Sequence, residues 1–188
     1  MRDGTATNTR IREEAIRLFA ERGIDAVSMR DIAEAVGIRP STIYVHWKSR
    51  DDLVRELFRA GYAEYGRRVA DLATGDGSFA ERFEAVVRLI CQLHGEDPTL
   101  FNFILLSQHD HLHQIAPDEK NPMEMLNRMV AGAMATGEIP AGDPGIVTAA
   151  LVGVVLQPAT FSAYGRLDRN LEDMADELVT LSLKLVRP

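Results

Sequence analysis

The sequence is poor in cysteine, and it lacks the usual catalytic motifs. Its 188 residues include one cysteine, Cys91, so no disulfide can form within the chain, as is typical of a reducing compartment. There is no glycine-rich phosphate loop, no nucleophile elbow and no convincing acid–base pair, which argues against an enzyme. Cys91 and His94 share a helix face at i, i+3 spacing, and a small helical hydrolase using this pair is the remaining enzymatic alternative. We expect core placement of Cys91 and no cofactor.

Long apolar runs are scarce as well. The longest covers residues 146–161, which is shorter than the roughly 20 residues that a membrane span requires, and Gln157 and Pro158 interrupt it. We therefore expect a buried helix here and no membrane association. The first ten residues are polar and show no signal-peptide pattern, so the sequence predicts a cytoplasmic protein.

The charges are distributed unevenly along the chain. The net charge is −7, which argues against non-specific binding to nucleic acid. Residues 1–50, however, contain nine Lys or Arg against seven Asp or Glu, whereas the remaining chain contains twelve against twenty-one. This asymmetry is expected if only the N-terminal part approaches phosphates.

A helix-turn-helix pattern occupies residues 28–47. Ser28 is a suitable N-cap with an acid three residues later, and Gly37 ends the first helix where a left-handed conformation is needed. Pro40 has its φ preset for the first turn of a second helix, which we expect over Ser41–His46 with a polar outer face. In such motifs the second helix enters the major groove of DNA.

The remaining chain has helical periodicity and no strand-like alternation. An approach helix is predicted from about Thr7 to Arg22, with its apolar residues on one face. A long helix follows from Ser49 to about Ala73, and at 1.5 Å per residue it spans roughly 30 Å, enough to connect two lobes. Five further helices are indicated beyond it, the last of them capped by Asn170. The sequence therefore predicts an all-α fold of about nine helices.

The N-terminal residues resemble the DNA-binding domain of TetR-family transcriptional regulators. Three features carry the resemblance: the approach helix ending in Arg22 and Gly23, the helix that starts at Ser28, and the run from Thr42 to Lys48. Each feature alone is weak, but their combination at these spacings is specific. The rest of the chain matches the family in size and helical character.

The resemblance implies two domains and a role in transcription. Residues 1–55 are expected to form the helix-turn-helix DNA-binding domain, with three helices, and residues 56–188 a helical ligand-binding and dimerisation domain. Such a protein acts as a homodimeric repressor whose two recognition helices bind a pseudo-palindromic operator in double-stranded DNA. A small apolar effector of unknown identity is expected to bind the second domain and release the DNA.

Ten residues of the motif and its flanks are predicted to face DNA. Arginine, short polar side chains and an apolar contact with the thymine methyl are the base-reading chemistries of the major groove, whereas the family's counterparts of Tyr44 and His46 donate to phosphates. Three positions depart from the family pattern. Arg39 stands where a serine is common, Val45 where a polar or aromatic residue is common, and Trp47 where phenylalanine is common. Trp47 is expected in the core. Predicted base contacts come from Arg39, Ser41, Thr42 and Val45, and predicted phosphate contacts from Ser28, Arg30, Tyr44, His46 and Lys48, with Pro40 starting the recognition helix.

Two further surfaces are predicted in the second domain. The resemblance implies dimerisation through the last two helices, where a leucine-rich stripe and the small residues Ala149, Ala150 and Gly153 would let a neighbouring helix approach closely. An apolar pocket is predicted among the phenylalanine and methionine side chains. The predicted dimer residues are Ala150, Val154, Leu171, Met174, Leu178, Leu181 and Leu185. The predicted effector-binding residues are Phe83, Val87, Phe101, Leu105, Met125, Met129 and Phe161.

A histidine-rich segment leaves a metal-responsive regulator open as an alternative. His109, His111 and His113 alternate in the run HDHLH, and imidazoles are common metal ligands. Side chains at i, i+2 and i+4 converge on one ion only in an extended or special loop, and no cysteine joins them. We therefore expect an exposed loop, and the predicted sites include no metal ligand.

Overall fold

The computed structural model describes residues 2–112 and 121–187, apart from the side chains of residues 2–4 and 109. Within these residues the chain forms nine α-helices and one short 3₁₀ turn and contains no β-strand, which confirms the all-α prediction. The helices are α1 (Arg2–Arg22), α2 (Met29–Val36), α3 (Pro40–Tyr44), α4 (Arg50–Ala73), α5 (Phe79–Glu96), α6 (Pro98–His111), α7 (Pro122–Thr136), α8 (Pro144–Ala163) and α9 (Ala175–Leu185).

Helix packing divides the chain into two compact units. Unit 1 comprises Met1–Gly61 and Thr99–Leu112, and unit 2 comprises Tyr62–Pro98 and His113–Pro188. The helix α4 contributes residues to both units, and nearly all of α6 belongs to unit 1 although the chain on either side of it belongs to unit 2. The predicted division at residue 55 did not anticipate this place of α6, and as an assignment of domains it stays a prediction.

Local sequence signals set the ends of the helices around the turn between α2 and α3. Ser28 and Asp31 form a complete capping box at the start of α2. Gly37 ends α2 with φ at +74°, a conformation that costs glycine little and other residues more. Arg10 of α1 donates from Nη2 to the Val36 carbonyl at 2.8 Å, so α1 helps to satisfy the last turn of α2.

A hydrophobic core joins α1–α4 and α6 within unit 1. The core of this unit includes the fully buried side chains Ile11, Leu18, Ile32, Ile43, Leu53 and Phe58. From α6, the ring of Phe103 stacks on that of Phe19 with centroids 5.9 Å apart. The helices α4 and α6 also approach closely at Gly61, where an added Cβ would lie 2.6 Å from Cδ1 of Ile104. Burial of these large side chains is the main source of stability in unit 1.

Unit 2 is built from helix pairs, with α5 packed against α9 and α7 against α8. Three of its helices begin at side-chain caps: Ser78 with Glu81 forms a capping box for α5, and Asn121 and Asp143 each cap a helix that starts with proline. The Tyr62 hydroxyl of α4 donates to Oδ1 of Asn121 at 3.3 Å. Asn121 therefore serves both as a cap and as a buried hydrogen-bond acceptor between α4 and α7.

Three helices differ in extent from their predictions. The helix α1 begins at Arg2 instead of Thr7, and α3 covers Pro40–Tyr44 instead of residues 41–46. The last helix is not capped by Asn170, because the 3₁₀ turn Glu172–Met174 precedes α9 and the start of α9 has no side-chain cap. The prediction failed there because a good capping residue shows only that a helix can start, and α9 takes its position from packing on α5 and α8.

The helix α8 is buried on one face only, so the prediction of a buried helix was wrong. Thr148, Leu151, Val155 and Ala159 form the buried face, and 22% of the most apolar stretch of α8 is buried in the described protein. Ile146 is 70% exposed. At 20 residues α8 is long and apolar enough to cross a membrane by length and composition alone, a test that the core helix of a soluble protein also passes.

Candidate nucleic-acid interface

The short helix α3 is anchored on one side and open on the other. Ile43 is completely buried, and Trp47, just beyond the helix, is 3% exposed. Tyr44 and Val45, in contrast, are 53% and 79% exposed. Other residues in and next to α3 with predicted DNA contacts are distributed in the same way, with Arg39, Pro40, Ser41 and His46 exposed and Thr42 half-buried.

The side chain of Arg39 does not cap α3. Arg39 occupies the N-cap position with extended backbone, and its side chain makes no cap hydrogen bond. Pro40 lies in the first turn of α3, where its missing N–H costs nothing and its fixed φ favours the helix. The guanidinium of Arg39 is therefore available for an external partner.

Three cations in and around the motif are available for contact with an external partner. Arg30, Arg39 and Lys48 are exposed and make no hydrogen bond or ion pair with any of the described residues. Neighbouring arginines differ, since Arg17 pairs with Glu21 at 2.7 Å. A cation that has no partner within the protein breaks no ion pair when it meets a phosphate, so these three side chains suit that contact.

The Ser28 hydroxyl is less available for a phosphate contact than the sequence suggested. Its hydroxyl donates to Oδ2 of Asp31 at 2.5 Å, and it accepts from the Asp31 backbone N–H at 3.3 Å. Hydrogen bonds from the side chain and backbone of Ser28 hold the pKa of Asp31 below its ordinary value, so an ionised carboxylate lies beside the hydroxyl. Ser28 caps α2, and its predicted phosphate contact stays a prediction.

A polar cluster around Trp47 was not predicted from the sequence. The indole Nε1–H of Trp47 donates to Oε2 of Glu56 at 2.8 Å, and Arg12 forms an ion pair with the same carboxylate. The guanidinium carbon of Arg12 lies 5.8 Å from the centroid of the Trp47 ring. We call Arg12, Trp47 and Glu56 the indole cluster. Trp47 was the signal that could have revealed it, because a buried indole N–H requires an acceptor and phenylalanine does not.

The predicted effector-binding residues do not form one group. Phe83, Val87, Met125 and Met129 are buried in unit 2, whereas Phe101 and Leu105 are buried in unit 1. Phe161 is 48% exposed and lies away from the buried face of α8, and its effector contact stays a prediction. The other six stay predictions.

Two open clefts in unit 2 have different linings. One, of about 370 Å³, is lined by Phe79, Ile139 and residues near the end of α9. The other, of about 480 Å³, lies between α4 and α5 and is flanked by Arg68 and Arg88, which form ion pairs with Glu96 and with Glu84 and Asp176 respectively. Neither of these two clefts contains a predicted effector-binding residue.

The predicted dimer residues divide into a buried and an accessible group. Leu171, Met174 and Leu178 are at most 4% exposed because they pack into the core of unit 2 itself, so assigning them to a dimer interface was wrong. Ala150, Leu181 and Leu185 are exposed, and Val154 is half-buried. Helical periodicity identified the apolar residues of these helices, but it could not distinguish which of them the chain covers with its own side chains.

The histidine-rich segment lies partly outside the described residues. His113 and the side chain of His109 are among the parts that the structure does not describe, so the three-histidine site remains untested. The expected exposed loop is wrong for its first part, because residues 109–111 belong to α6. His111 is half-buried, and its ring centroid lies 5.5 Å from that of Phe58. Among the described residues no group of three or more His, Cys, Asp or Glu side chains is placed to hold a metal ion.

Cys91 and His94 lie in α5 and are 1% and 8% exposed. Burial, with a smaller contribution from the charge of Glu172, raises the pKa of the Cys91 thiol to about 11, and burial lowers the pKa of His94. A thiol with this pKa is almost entirely protonated near neutral pH and is a poor nucleophile. The core placement of Cys91 is confirmed, and the hydrolase alternative is not favoured.

Known proteins match the N-terminal part of the chain most clearly. Residues 11–57 match the family of bacterial regulatory proteins described as the tetR family. The HTH-type transcriptional repressor KstR2 of Mycobacterium tuberculosis is 34% identical over 74 residues, which cover 39% of this chain and 37% of that protein. KstR2 of Rhodococcus jostii is 43% identical over 51 residues, 27% of this chain and 25% of that protein. The match therefore spans well under half of the length of these relatives.

Solved structures share the fold over nearly the whole chain. FadR of Bacillus subtilis in complex with stearoyl-CoA superposes with a TM-score of 0.76 at 17% identity, covering 96% of this chain and 100% of that one. AibR in complex with isovaleryl coenzyme A and operator DNA superposes with a TM-score of 0.74 at 23% identity, covering 93% and 97%. At these identities the likeness establishes the fold. Over residues 11–57, the chain therefore carries the N-terminal domain of the tetR family of bacterial regulatory proteins.

Proposed function

We propose that the protein is a homodimeric transcriptional repressor that binds a pseudo-palindromic operator and is released by a small apolar effector. The open face of α3 carries this proposal: Ile43 anchors the helix while Arg39, Ser41 and Val45 project from it. These side chains offer a guanidinium, a hydroxyl and methyl groups, which are the chemistries that distinguish bases in the major groove. The relatives that match the N-terminal residues are transcriptional regulators, which agrees with this function.

Phosphate contacts would position α3 in the groove. Arg30 near the start of α2 and Lys48 beyond α3 are exposed cations on either side of the recognition helix. Tyr44 and His46 are exposed and end in hydrogen-bond donors. Contacts of this kind fix the register of a protein on DNA and carry no sequence information.

A dimer accounts for the exposed apolar side chains of α8 and α9. Ile146, Leu181 and Leu185 are 70%, 45% and 55% exposed, and α8 contacts α9 within the chain. On α8, an added Cβ at Gly153 would meet no other heavy atom within 4 Å, which leaves room for a helix of a second copy. One DNA-binding module has a small interface, so tight and specific binding requires a second half-site.

The effector is proposed to bind among the buried apolar side chains of unit 2. Phe83, Val87, Met125 and Met129 supply a lining of this character. Two proteins that share the fold are complexes with stearoyl-CoA and isovaleryl coenzyme A, so coenzyme A thioesters, whose acyl chain is the apolar part, are the first compounds to test. The helix α4 has residues in both units, and it is the natural element to relay effector binding if the effector prefers one of two states. A protein with this role works on chromosomal DNA, and we propose a cytoplasmic location.

An electrophoretic mobility shift with the promoter region of the protein's own gene tests this function. We expect a discrete complex at moderate salt that survives an excess of unrelated DNA. A series of acyl-coenzyme A compounds of increasing chain length, added to that complex, should include one that releases the DNA. If the wild-type protein binds the promoter no better than the unrelated DNA, the repressor assignment is wrong.

A further inference from the structure

We propose that Glu56 is a positioning residue for DNA binding, which holds the indole of Trp47 and thereby fixes the recognition helix α3 to α4. This inference rests on the proposed DNA-binding function and adds to it the device that sets the position of α3. Glu56 is not among the predicted DNA contacts, and it acts through Trp47.

Trp47 is joined rigidly to the recognition helix. Its backbone N–H donates to the Ile43 carbonyl at 3.0 Å, and the His46 N–H donates to the same carbonyl at 2.9 Å. These two bonds close the turn that follows α3, so the Trp47 ring has a defined position relative to the exposed face of the helix. A shift of the ring therefore shifts the side chains proposed to read DNA.

The hydrogen bond from Trp47 to Glu56 ties this turn to α4. The Nε1···Oε2 distance is 2.8 Å, within the range of a strong charge-assisted bond. Because Trp47 is 3% exposed, an indole without its acceptor would have little access to water, and an unsatisfied buried donor is costly. A phenylalanine, the commoner family residue here, would pack in the same core without demanding any direction. Trp47 and Glu56 thus form a matched pair that specifies an orientation.

Arg12 completes the indole cluster from α1. Its guanidinium pairs with Glu56, and the two side chains are 33% and 46% exposed. Its Nε–H also donates to Oδ1 of Asn8 at 2.8 Å, which limits the orientations of the guanidinium. Since an ion pair with this exposure is screened by water and contributes little by itself, its role is to orient the carboxylate, and the indole hydrogen bond carries the positioning.

Three substitutions separate these contributions. Glu56→Leu removes the acceptor, and we expect it to weaken binding to the promoter duplex roughly ten-fold, the effect of losing one charge-assisted hydrogen bond. Glu56→Gln keeps an acceptor oxygen for the indole and should restore affinity to within about three-fold of wild type. Glu64→Leu is the matched control, because Glu64 is an exposed carboxylate of the same helix that pairs with Arg67, and it should bind as wild type does.

The single tryptophan provides a direct spectroscopic readout. The chain contains one Trp, so its indole N–H gives one resonance in a ¹⁵N–¹H correlation spectrum. We expect this resonance to move upfield and to exchange faster with solvent in Glu56→Leu, and to stay near the wild-type position in Glu56→Gln and Glu64→Leu. An unmoved resonance in Glu56→Leu overturns the inference, as does promoter affinity equal to that of the control.

Trp47→Phe alone covers the case in which Glu56→Leu does not fold, because it removes the donor of the same hydrogen bond and should weaken promoter binding by a similar factor. A double-mutant cycle then tests whether the two residues act through one another. Trp47→Phe retains a buried ring and removes the donor, so replacing Glu56 by Gln or Leu in that background should change promoter affinity less than about three-fold, because the two effects are coupled. Independent effects that simply multiply contradict the proposal. If the wild-type protein does not bind DNA selectively, the proposed function fails and the positioning role fails with it. If the wild type binds DNA selectively and the Glu56 variants bind as tightly as Glu64→Leu does, the positioning role is wrong and the proposed function stands.

Discussion

At the scale of single residues, the cations of the motif divide by the part of the DNA that each can contact. Arg39 lies at the start of α3 and is proposed to contact base edges, so Arg39→Ala should relax sequence preference at one base pair by about 1–3 kcal/mol. Lys48 follows the motif, so Lys48→Ala should weaken all sequences alike and reduce the slope of log K against log salt by about 0.9. Fluorescence anisotropy with the promoter duplex and its point variants, at several salt concentrations, measures both effects.

Lys184→Ala provides the control for these variants. Lys184 is an exposed lysine in the last turn of α9, far along the chain from the motif, and its loss should leave the salt slope unchanged. Equal slopes for Lys48→Ala and the wild type would contradict the phosphate contact. Unchanged discrimination in Arg39→Ala would remove that residue from the base readers.

The buried thiol predicts unusual chemical inertness. Cys91 is 1% exposed and its pKa is raised to about 11, so at pH 8 the thiolate fraction is small and access is blocked. We expect the native protein to react with an aromatic disulfide reagent at least ~100-fold more slowly than the denatured chain, since thiolate fraction and access both limit the rate. The absorbance of the released thiolate measures this rate. Fast reaction of the native protein would show that α5 exposes this face by local opening.

At the scale of helices, two N-caps with the same sequence pattern should differ in their value. Asn121 and Asp143 both precede a proline that opens a helix, but Asn121 is buried and also accepts from Tyr62. Asn121→Ala should cost about 1–2 kcal/mol of unfolding free energy, because the buried hydrogen bond from the Tyr62 hydroxyl is lost in addition to the cap. For Asp143→Ala, water can replace the cap, and we expect about 1 kcal/mol or less. Urea denaturation at a common pH compares them, and equal losses would contradict the role of Tyr62.

Helix signals that lie within a few residues were readable from the sequence, and signals that depend on distant partners were not. The capping boxes at Ser28 and Ser78 and the left-handed Gly37 are local chemistry. The place of α6 in unit 1 depends on Phe103 meeting Phe19, 84 positions apart in the sequence, and periodicity contains no information about such pairs. Glu56 was missed for the same reason, since a charged residue on a helix surface is ordinarily solvated.

At the scale of the whole molecule, the open face of α8 predicts how the proposed dimer can be disrupted. Gly153 and Gly132 are both exposed helical glycines at which a Cβ would meet no heavy atom within 4 Å, so either can be replaced without a clash inside the chain. Gly153→Arg should weaken dimerisation on the order of 100-fold, or about 3 kcal/mol, and reduce operator affinity. Gly132→Arg on α7 should remain dimeric. Sedimentation equilibrium measures both, and equal dimer stability in the two variants would contradict an interface at α8.

Acid should destabilise the protein through His94. Its pKa is lowered in the folded state by burial, against a weaker opposing influence of Glu172, so the unfolded chain binds a proton at higher pH than the folded protein does. The stability that depends on neutral His94 is therefore complete above about pH 6.5 and is lost as pH falls through the lowered pKa. We expect the melting temperature to fall as the pH is lowered below about 6.5, and His94→Leu to flatten this fall. If the melting temperatures of the two proteins fall equally as the pH is lowered, the assignment is wrong.

The two-part composition of unit 1 also limits how this protein can be divided or recombined. The half of the molecule proposed to read DNA is assembled from two separate stretches of chain, since Thr99–Leu112 joins Met1–Gly61. A fragment that ends after Gly61 would leave the Phe19 ring without Phe103 and the close packing surface at Gly61 without Ile104. Unit 1 therefore cannot be separated as a single N-terminal segment. A chimera that exchanges DNA specificity between relatives needs α6, from the middle of the chain, together with the N-terminal helices.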